Sequence, residues 1–256
     1  MLNSRYELIK ECGKGAFSTV YLANDVLKNN HVAIKVLPYN QLSEDEVEIS
    51  SKLRNSENLV TLLDNFNIKD KHYLVFERGY PVFKDYLSHN LSNTSVLSKI
   101  FYDSLNGCKN MHNHGFLHLD IHPLNILKVN NSYCLSDFGC STNIGLNDNI
   151  QITRKGGTWE YMPPETFGDI ISVSRKSDVY FMGSLGIFLF TGKPPVYSSR
   201  EFKSSKFYKQ ECIKQHLKIF NPSVADEKLK QALIISTHPD PSKRFNSLED
   251  FIDFLK

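Results

Sequence analysis

The chain lacks any cysteine pair at disulfide or zinc spacing. Its five cysteines, Cys12, Cys108, Cys134, Cys140 and Cys212, are scattered and include no C-x-x-C. An odd, dispersed set fits reduced thiols and a cytoplasmic or nuclear setting better than a disulfide framework. Cys140 reads as a small packing residue rather than a reactive thiol. A charge excess is also missing. The formal net charge of +2 argues against general binding to nucleic acid or to a membrane surface. No apolar run is long enough to span a bilayer. The longest, around Val179–Phe190, reads as a buried helix. Met1–Arg5 leads into strand-like sequence without a signal-peptide apolar core. No repeat, low-complexity tail or linker divides the chain. The expectation is one monomeric domain over residues 1–256, ordinary in composition at 41% hydrophobic and 23% charged. That length suits a single large domain or two lobes sharing a cleft.

The most informative stretch is His118-Leu119-Asp120-Ile121-His122-Pro123-Leu124-Asn125, followed by Asp137-Phe138-Gly139. Between them, Ile126–Val129 and Tyr133–Leu135 flank Asn130-Asn131, a β-hairpin pattern. Asp120 and Asn125 then sit at one mouth of the hairpin, with Asp137 just past its second strand. One carboxylate can orient a hydroxyl while an amide and a second carboxylate hold Mg²⁺ against phosphate oxygens. Upstream, Tyr6–Cys12 and Ser18–Ala23 read as strands around Gly13-Lys14-Gly15-Ala16-Phe17. This is either an ordinary hairpin with a flexible tip or a loop whose glycines let backbone N–H groups approach phosphate. No helix follows it, which separates it from a dinucleotide-binding fingerprint. His31–Leu37 is a third strand with Lys35 inside an apolar run. Gln41–Leu53 reads as a helix with Leu42, Val47, Ile49 and Leu53 as its apolar positions. Leu59–Phe66 and His72–Phe76 read as further strands. Beyond Val82 the pattern turns helical. A loop and cap region covers 88–95, and Val96, Ile100, Phe101, Leu105, Cys108 and Met111 recur at helical spacing.

In this order the motifs resemble the eukaryotic-type protein kinase family, serine/threonine branch, from Tyr6 to about Leu255. The resemblance implies an α+β, bilobal fold. A small antiparallel β lobe with one helix (1–78) would join a larger, mainly helical lobe (79–256). It implies ATP as phosphoryl donor, Mg²⁺ as cofactor and protein Ser/Thr hydroxyls as acceptors. Asp120 would orient the acceptor, Lys35 would clamp the phosphates with Glu46 as its ion-pair partner (Glu48 the runner-up), and Asn125 and Asp137 would be the metal ligands. Cys12, Gly13, Lys14, Gly15, Ala16, Phe17, Ser18, Thr19, Val20, Ala33, Lys35 and Leu127 would surround the nucleotide. Phe76 is placed as a bulky residue closing the pocket behind the adenine, with Glu77 and Gly79 pairing with it through their backbones. Gly157–Glu165 resembles the end of an activation segment, Thr158 the threonine bridging Asp120 and position 122. Asp178 resembles the aspartate that accepts catalytic-loop N–H groups, and Arg244 the partner of Glu165. Thr191–Pro195 and Ser247–Leu255 read as a helix stop and a capped amphipathic helix.

Several positions depart from the family pattern. Ser18 replaces a glycine, Ser50 a larger apolar residue and His122 the usual lysine. The Lys35-to-Glu46 interval is short by roughly two helical turns. Leu119 replaces the arginine that normally pairs with an activation-segment phosphate. Arg154 stands where many kinases carry the phosphate acceptor, with Thr153 nearby. These residues imply a kinase independent of activation-loop phosphorylation. Two alternatives stay open. His118–Asn125 also resembles the loop of aminoglycoside and choline phosphotransferases, and the departures leave room for a pseudokinase acting as an ATP-binding interaction module.

Overall fold

The computed structural model describes residues 1–15, 17–83, 93–147, 149–153, 156–166, 171–195, 214 and 226–256. The expectations for Ala16, Arg154, Cys212 and most of the 88–95 loop lie outside the described residues.

The N-terminal part is a five-stranded antiparallel sheet. Its strands are β1 (Tyr6–Lys14), β2 (Thr19–Asp25), β3 (Asn30–Pro38), β4 (Leu62–Ile68) and β5 (Lys71–Glu77), in the order β1-β2-β3-β5-β4. One face is apolar, with Tyr6, Ala23, Val32, Ile34 and Val75 fully buried. Tyr6, Phe66 and Tyr73 stack in series across it, the cross-strand aromatic contact that sheets favour. The fourth strand starts later than the sequence pattern indicates. Residues 58–60 are taken up by Leu135, whose N donates to the Asn58 carbonyl at 2.9 Å and whose carbonyl accepts Val60 N at 3.0 Å. Leu59 instead makes an isolated parallel bridge to Leu135, outside the sheet.

Helix α1 (Gln41–Lys52) follows β3 after only Tyr39 and Asn40. The short Lys35-to-Glu46 interval is thus a trimmed connection. Asn40 caps the helix in a reciprocal capping box with Ser43. The inner face carries Ser43, Glu46, Ile49 and Ser50. Leu42, read from the sequence as an apolar contact, is half exposed, because Ser43 takes the inward place against His72 Nδ1 at 3.2 Å.

The remaining strands are short. β6 (Tyr80–Pro81), β8 (Ile126–Val129) and β9 (Ser132–Leu135) form one small sheet. β7 (Phe116–Leu117) pairs with β10 (Thr142–Asn143), and β11 (Asn149–Ile152) with β12 (Ile171–Ser174). The helical part comprises α2 (Thr94–Asn113), α3 (Arg175–Thr191), α4 (Glu227–Ser236) and α5 (Leu248–Leu255). Every residue of α3 from Ser177 to Phe190 is buried, as expected of a helix apolar all round. Gly183 faces Ser236 of α4 so closely that a Cβ there would collide. Gly192, at φ 70°, ends α3 in the left-handed conformation. Ser247 caps α5 through Asp250 N.

The Glu165–Arg244 pair is formed as the resemblance implies, with Nη1 and Nη2 on the two carboxylate oxygens at 2.7 and 2.8 Å. Arg244 also donates to the carbonyls of His238 and Lys176. Its side chain is fully buried, so deleting it leaves Glu165 with the Ser177 hydroxyl alone and takes this donor from the His238, Lys176 and Pro239 carbonyls. Arg244→Ala is expected to lower unfolding free energy by about 3–5 kcal/mol, measured by urea denaturation.

Candidate functional site

The site begins with an ion network in which Lys35 and Glu46 are buried. Lys35 Nζ lies 2.7 and 2.9 Å from the Glu46 oxygens and 2.8 Å from Asp137 Oδ1. Three elements meet here: β3, α1 and the turn after β9. Glu46 is thus the partner, while Glu48 pairs with Lys52 at the surface. Burial alone would push the Lys35 ammonium down, but the charges of Glu46 and Asp137 outweigh it and hold its pKa above the ordinary value. Burial likewise opposes ionisation of Asp137, and the Lys35 charge reverses that. Gly139 lies beside this network: a Cβ there would stand 3.3–3.6 Å from an oxygen of each carboxylate and from the ammonium.

The β8–β9 hairpin pairs Ile126 with Leu135, so Asn125 and Asp137 stand at the same mouth. Ser136 N and Oγ both donate to the Asn125 carbonyl, at 2.9 and 3.0 Å. Asn125 Nδ2 donates to the Asp120 carbonyl at 2.9 Å. Its amide oxygen takes no hydrogen bond among the described residues, and the Asp137 side chain is about half exposed (48%). An amide oxygen and a carboxylate are hard donors, a pair that fits Mg²⁺.

Asp120 is held on several sides. Thr158 N donates to Oδ1 at 2.7 Å, Asn125 Nδ2 approaches Oδ2 at 3.4 Å, and His122 Nε2 lies 3.7 Å from Oδ2. Burial raises its pKa, but the His122 ring and the Thr158 N–H more than offset this and keep it below the usual carboxylate range. The resemblance assigns the bridge to the threonine itself, and the contact found is through its backbone N–H. Gly157 makes this approach possible: at φ 107°, a Cβ would lie 3.0 Å from the Leu119 carbonyl.

Asp178 anchors the loop from beneath. Its carboxylate accepts His118 N at 2.8 Å, Leu119 N at 2.9 Å and the ring of His112 at 2.8 Å. Burial disfavours its charge, but these donors win and lower its pKa. His112 was not singled out in the sequence. Its spacing of four from Cys108, on the buried face of α2, was the available signal. His118 Nδ1 accepts Asp120 N at 3.3 Å, and burial pushes its pKa below the ordinary histidine value.

Above Asp137 and Asn125 opens a cleft. Of the residues expected around a nucleotide, Cys12, Gly13, Val20, Ala33, Lys35, Glu77 and Leu127 line it. Lys14, Gly15, Phe17, Ser18 and Thr19 do not. Nor does Gly79, which instead packs on Leu127, 2.7 Å from where its Cβ would be. Phe76 is in the lining, as are Val60, Pro81, Leu124 and Ser136, four residues that were not among those expected around the nucleotide. Glu77 uses its carboxylate to accept Thr61 N at 2.8 Å.

The protein kinase domain profile matches residues 6–252. The chain belongs to the protein kinase family. A probable myosin light chain kinase of Dictyostelium discoideum is 32% identical over 206 residues, covering 75% of this chain and 65% of the relative. The serine/threonine-protein kinase PrkC of Bacillus subtilis is 26% identical over 262 residues, 97% of this chain and 40% of the relative. An Aurora kinase of Yarrowia lipolytica is 29% identical over 253 residues, 94% of this chain and 65% of the relative. The kinase chain thus spans about 40–65% of the length of these curated relatives.

The Asp178 contacts give a pH signature. An aspartate whose pKa is lowered on folding stabilises the fold above its unfolded value of about 3.9, and that contribution is lost as pH falls through the folded value. Asp178→Asn is expected to be destabilised at neutral pH, and the gap from wild type to narrow at about pH 3, measured by chemical denaturation at both pH values.

Proposed function

We propose that this kinase transfers the γ-phosphoryl group of ATP to serine or threonine hydroxyls of protein substrates. The observation that carries this reading is the 2.7 Å bond from Thr158 N to Asp120 Oδ1. It ties the Gly157–Glu165 segment to the residue that would orient the acceptor, and that segment offers a ledge for a polypeptide. A site for a small alcohol needs no such ledge.

In this mechanism residues 1–78 and 79–256 act as two lobes closing on ATP. Lys35, positioned by Glu46, holds the phosphates. Asp120 accepts a hydrogen bond from the substrate hydroxyl and aligns its oxygen with the transferred group. His122, beside Asp120, faces the same space and can donate to a phosphate oxygen. Asn125 and Asp137 would hold Mg²⁺, which when bound neutralises phosphate charge. Catalysis is then mostly positioning and charge stabilisation by groups already fixed in place.

The reading includes independence from activation-loop phosphorylation. Leu119 is buried (5% exposed) at the position where the family's arginine would meet a phosphate. Other contacts hold the segment. β11 pairs with β12 over four residue pairs, and Arg175 donates to the Gly145 and Asn147 carbonyls at 3.0 and 3.2 Å.

The test is Mg²⁺- and ATP-dependent transfer to a degenerate Ser/Thr/Tyr peptide library. Asp120→Asn and Asp137→Ala are each expected to lower turnover at least ~10²-fold. Retained turnover in both variants sinks the assignment. Transfer to tyrosine alone refutes the acceptor class. For the activation segment, phosphatase-treated protein and the Thr153→Ala variant are expected to keep the turnover of untreated wild type; a collapse in either removes the independence.

A further inference from the structure

Away from the nucleotide cleft, a cavity of about 530 Å³ opens where β11, β12, the start of α3 and the turn before α5 meet. That volume lies in the range of ligand pockets. The β11–β12 register sets what it is lined with. Asn149 pairs with Ser174, Ile150 with Val173 and Gln151 with Ser172. Side chains alternate between the two faces of a strand pair. Ile150, Ile152, Ile171 and Val173 pack on the core, so Asn149 and Ser172 share the opposite, polar face.

Arg175 and Lys176, both half-buried, join Asn149, Ser172 and Asn246 in the lining. Neither cation meets a carboxylate among the described residues. Arg175 donates to two neutral carbonyls, those of Gly145 and Asn147, and its other N–H groups are uncommitted. The side chains of Lys176, Ser172, Asn149 and Asn246 make no hydrogen bond among the described residues. Glu165 is the carboxylate of the lining, and it is already matched. Arg244 holds both of its oxygens at 2.7 and 2.8 Å, and Ser177 Oγ donates to it at 3.0 Å. The cavity thus gathers unclaimed donors and uncompensated positive charge. A phosphate monoester is the complement of such a set. It carries a charge of about −1.5 to −2 near neutral pH and three strong acceptor oxygens, and it bonds best to charged donors.

The place of the cavity identifies the carrier of the phosphate. Glu165 ends the segment whose Thr158 N meets Asp120 at 2.7 Å. A polypeptide with its hydroxyl at Asp120 can follow this segment to the cavity. Thr158 and Glu165 are about seven residues apart, which spans at most ~23 Å of extended chain. We propose that the cavity docks a phosphoserine or phosphothreonine already present on the substrate, within about seven residues of the acceptor hydroxyl. This group is also what the reaction makes, so one transfer favours a second on the same polypeptide. The inference rests on the protein kinase reading above and narrows its substrate class.

The experiment pairs transfer with binding. Serine peptides carry either threonine or phosphothreonine at about two to seven positions on each side of the acceptor. They are assayed with wild type, Lys176→Glu and Ser172→Asp. The same peptides, fluorescently labelled, are titrated by anisotropy, with inorganic phosphate and phosphatidylserine vesicles as competitors. Thermal melts check folding, and if Lys176→Glu fails to fold, Ser172→Asp on the exposed strand face decides. Wild type is expected to favour the phosphorylated peptide by roughly 10-fold in kcat/KM through a lower KM, the scale of one charge-assisted hydrogen bond. Each variant places a carboxylate in the cavity and should bring the two peptides toward equal use. Equal use by wild type overturns the proposal. So does a preference that survives in both folded variants, since the phosphate is then read elsewhere. Inorganic phosphate or vesicles binding as tightly as the phosphopeptide also overturns it, because the carrier is then not a polypeptide. If no peptide accepts phosphate, the kinase reading fails and the titrations decide the cavity. Phosphopeptide-selective binding lost in the variants keeps the docking site, and unselective binding ends it.

Discussion

Asp178 is the constraint on which the site's geometry depends. It is a carboxylate at zero exposure, and a buried charge persists only if its oxygens are satisfied. Here two consecutive backbone N–H groups and the His112 ring satisfy them. The consequence is local: His118 and Leu119 must present their amides to α3, and Leu119 takes a positive φ of 63° to do so. That bend aims Asp120 out of the core toward Thr158. The most buried helix of the protein thus orients the carboxylate that faces the cleft.

The second organising element is electrostatic. α1 contributes few apolar contacts on its inner face, where Ser43, Glu46 and Ser50 alternate with Ile49. Among the described residues, Ser50 Oγ is buried without a hydrogen-bond partner. The position of α1 therefore leans on Glu46 and Lys35, and through Lys35 on Asp137. A buried pair adds little net stability over an apolar replacement, but losing one partner is costly. The same network that orders the phosphate-facing lysine sets where α1 rests.

Much of this was legible in the residues. The hairpin at Asn130-Asn131, the cap of α5, the glycine stop of α3 and the inward run Val179–Phe190 follow from local chemistry and periodicity. Site residues separated by a handful of positions, Asp120, Asn125 and Asp137, could be brought together because one short hairpin lies between them. Leu42 was misjudged because periodicity marks a face and says nothing of whether the first turn overhangs its neighbour. The start of β4 was misjudged because residues 58–60 pair with Leu135, a partner far along the chain that leaves no mark on the local pattern.

Sequence by itself determined the family, the order of elements and the identities of the lysine, the carboxylates and the amide, because spacing along the chain carries that information. Tertiary structure decided which glutamate meets Lys35, that His112 completes the Asp178 anchor, and that Thr158 meets Asp120 through its backbone. It also decided that Gly79 packs on Leu127 and that Leu124 is left in water. Each of these is a distance between residues far apart in the chain, or a direction of a side chain. Such quantities arise only when buried polar groups must find partners and apolar faces must close on one another.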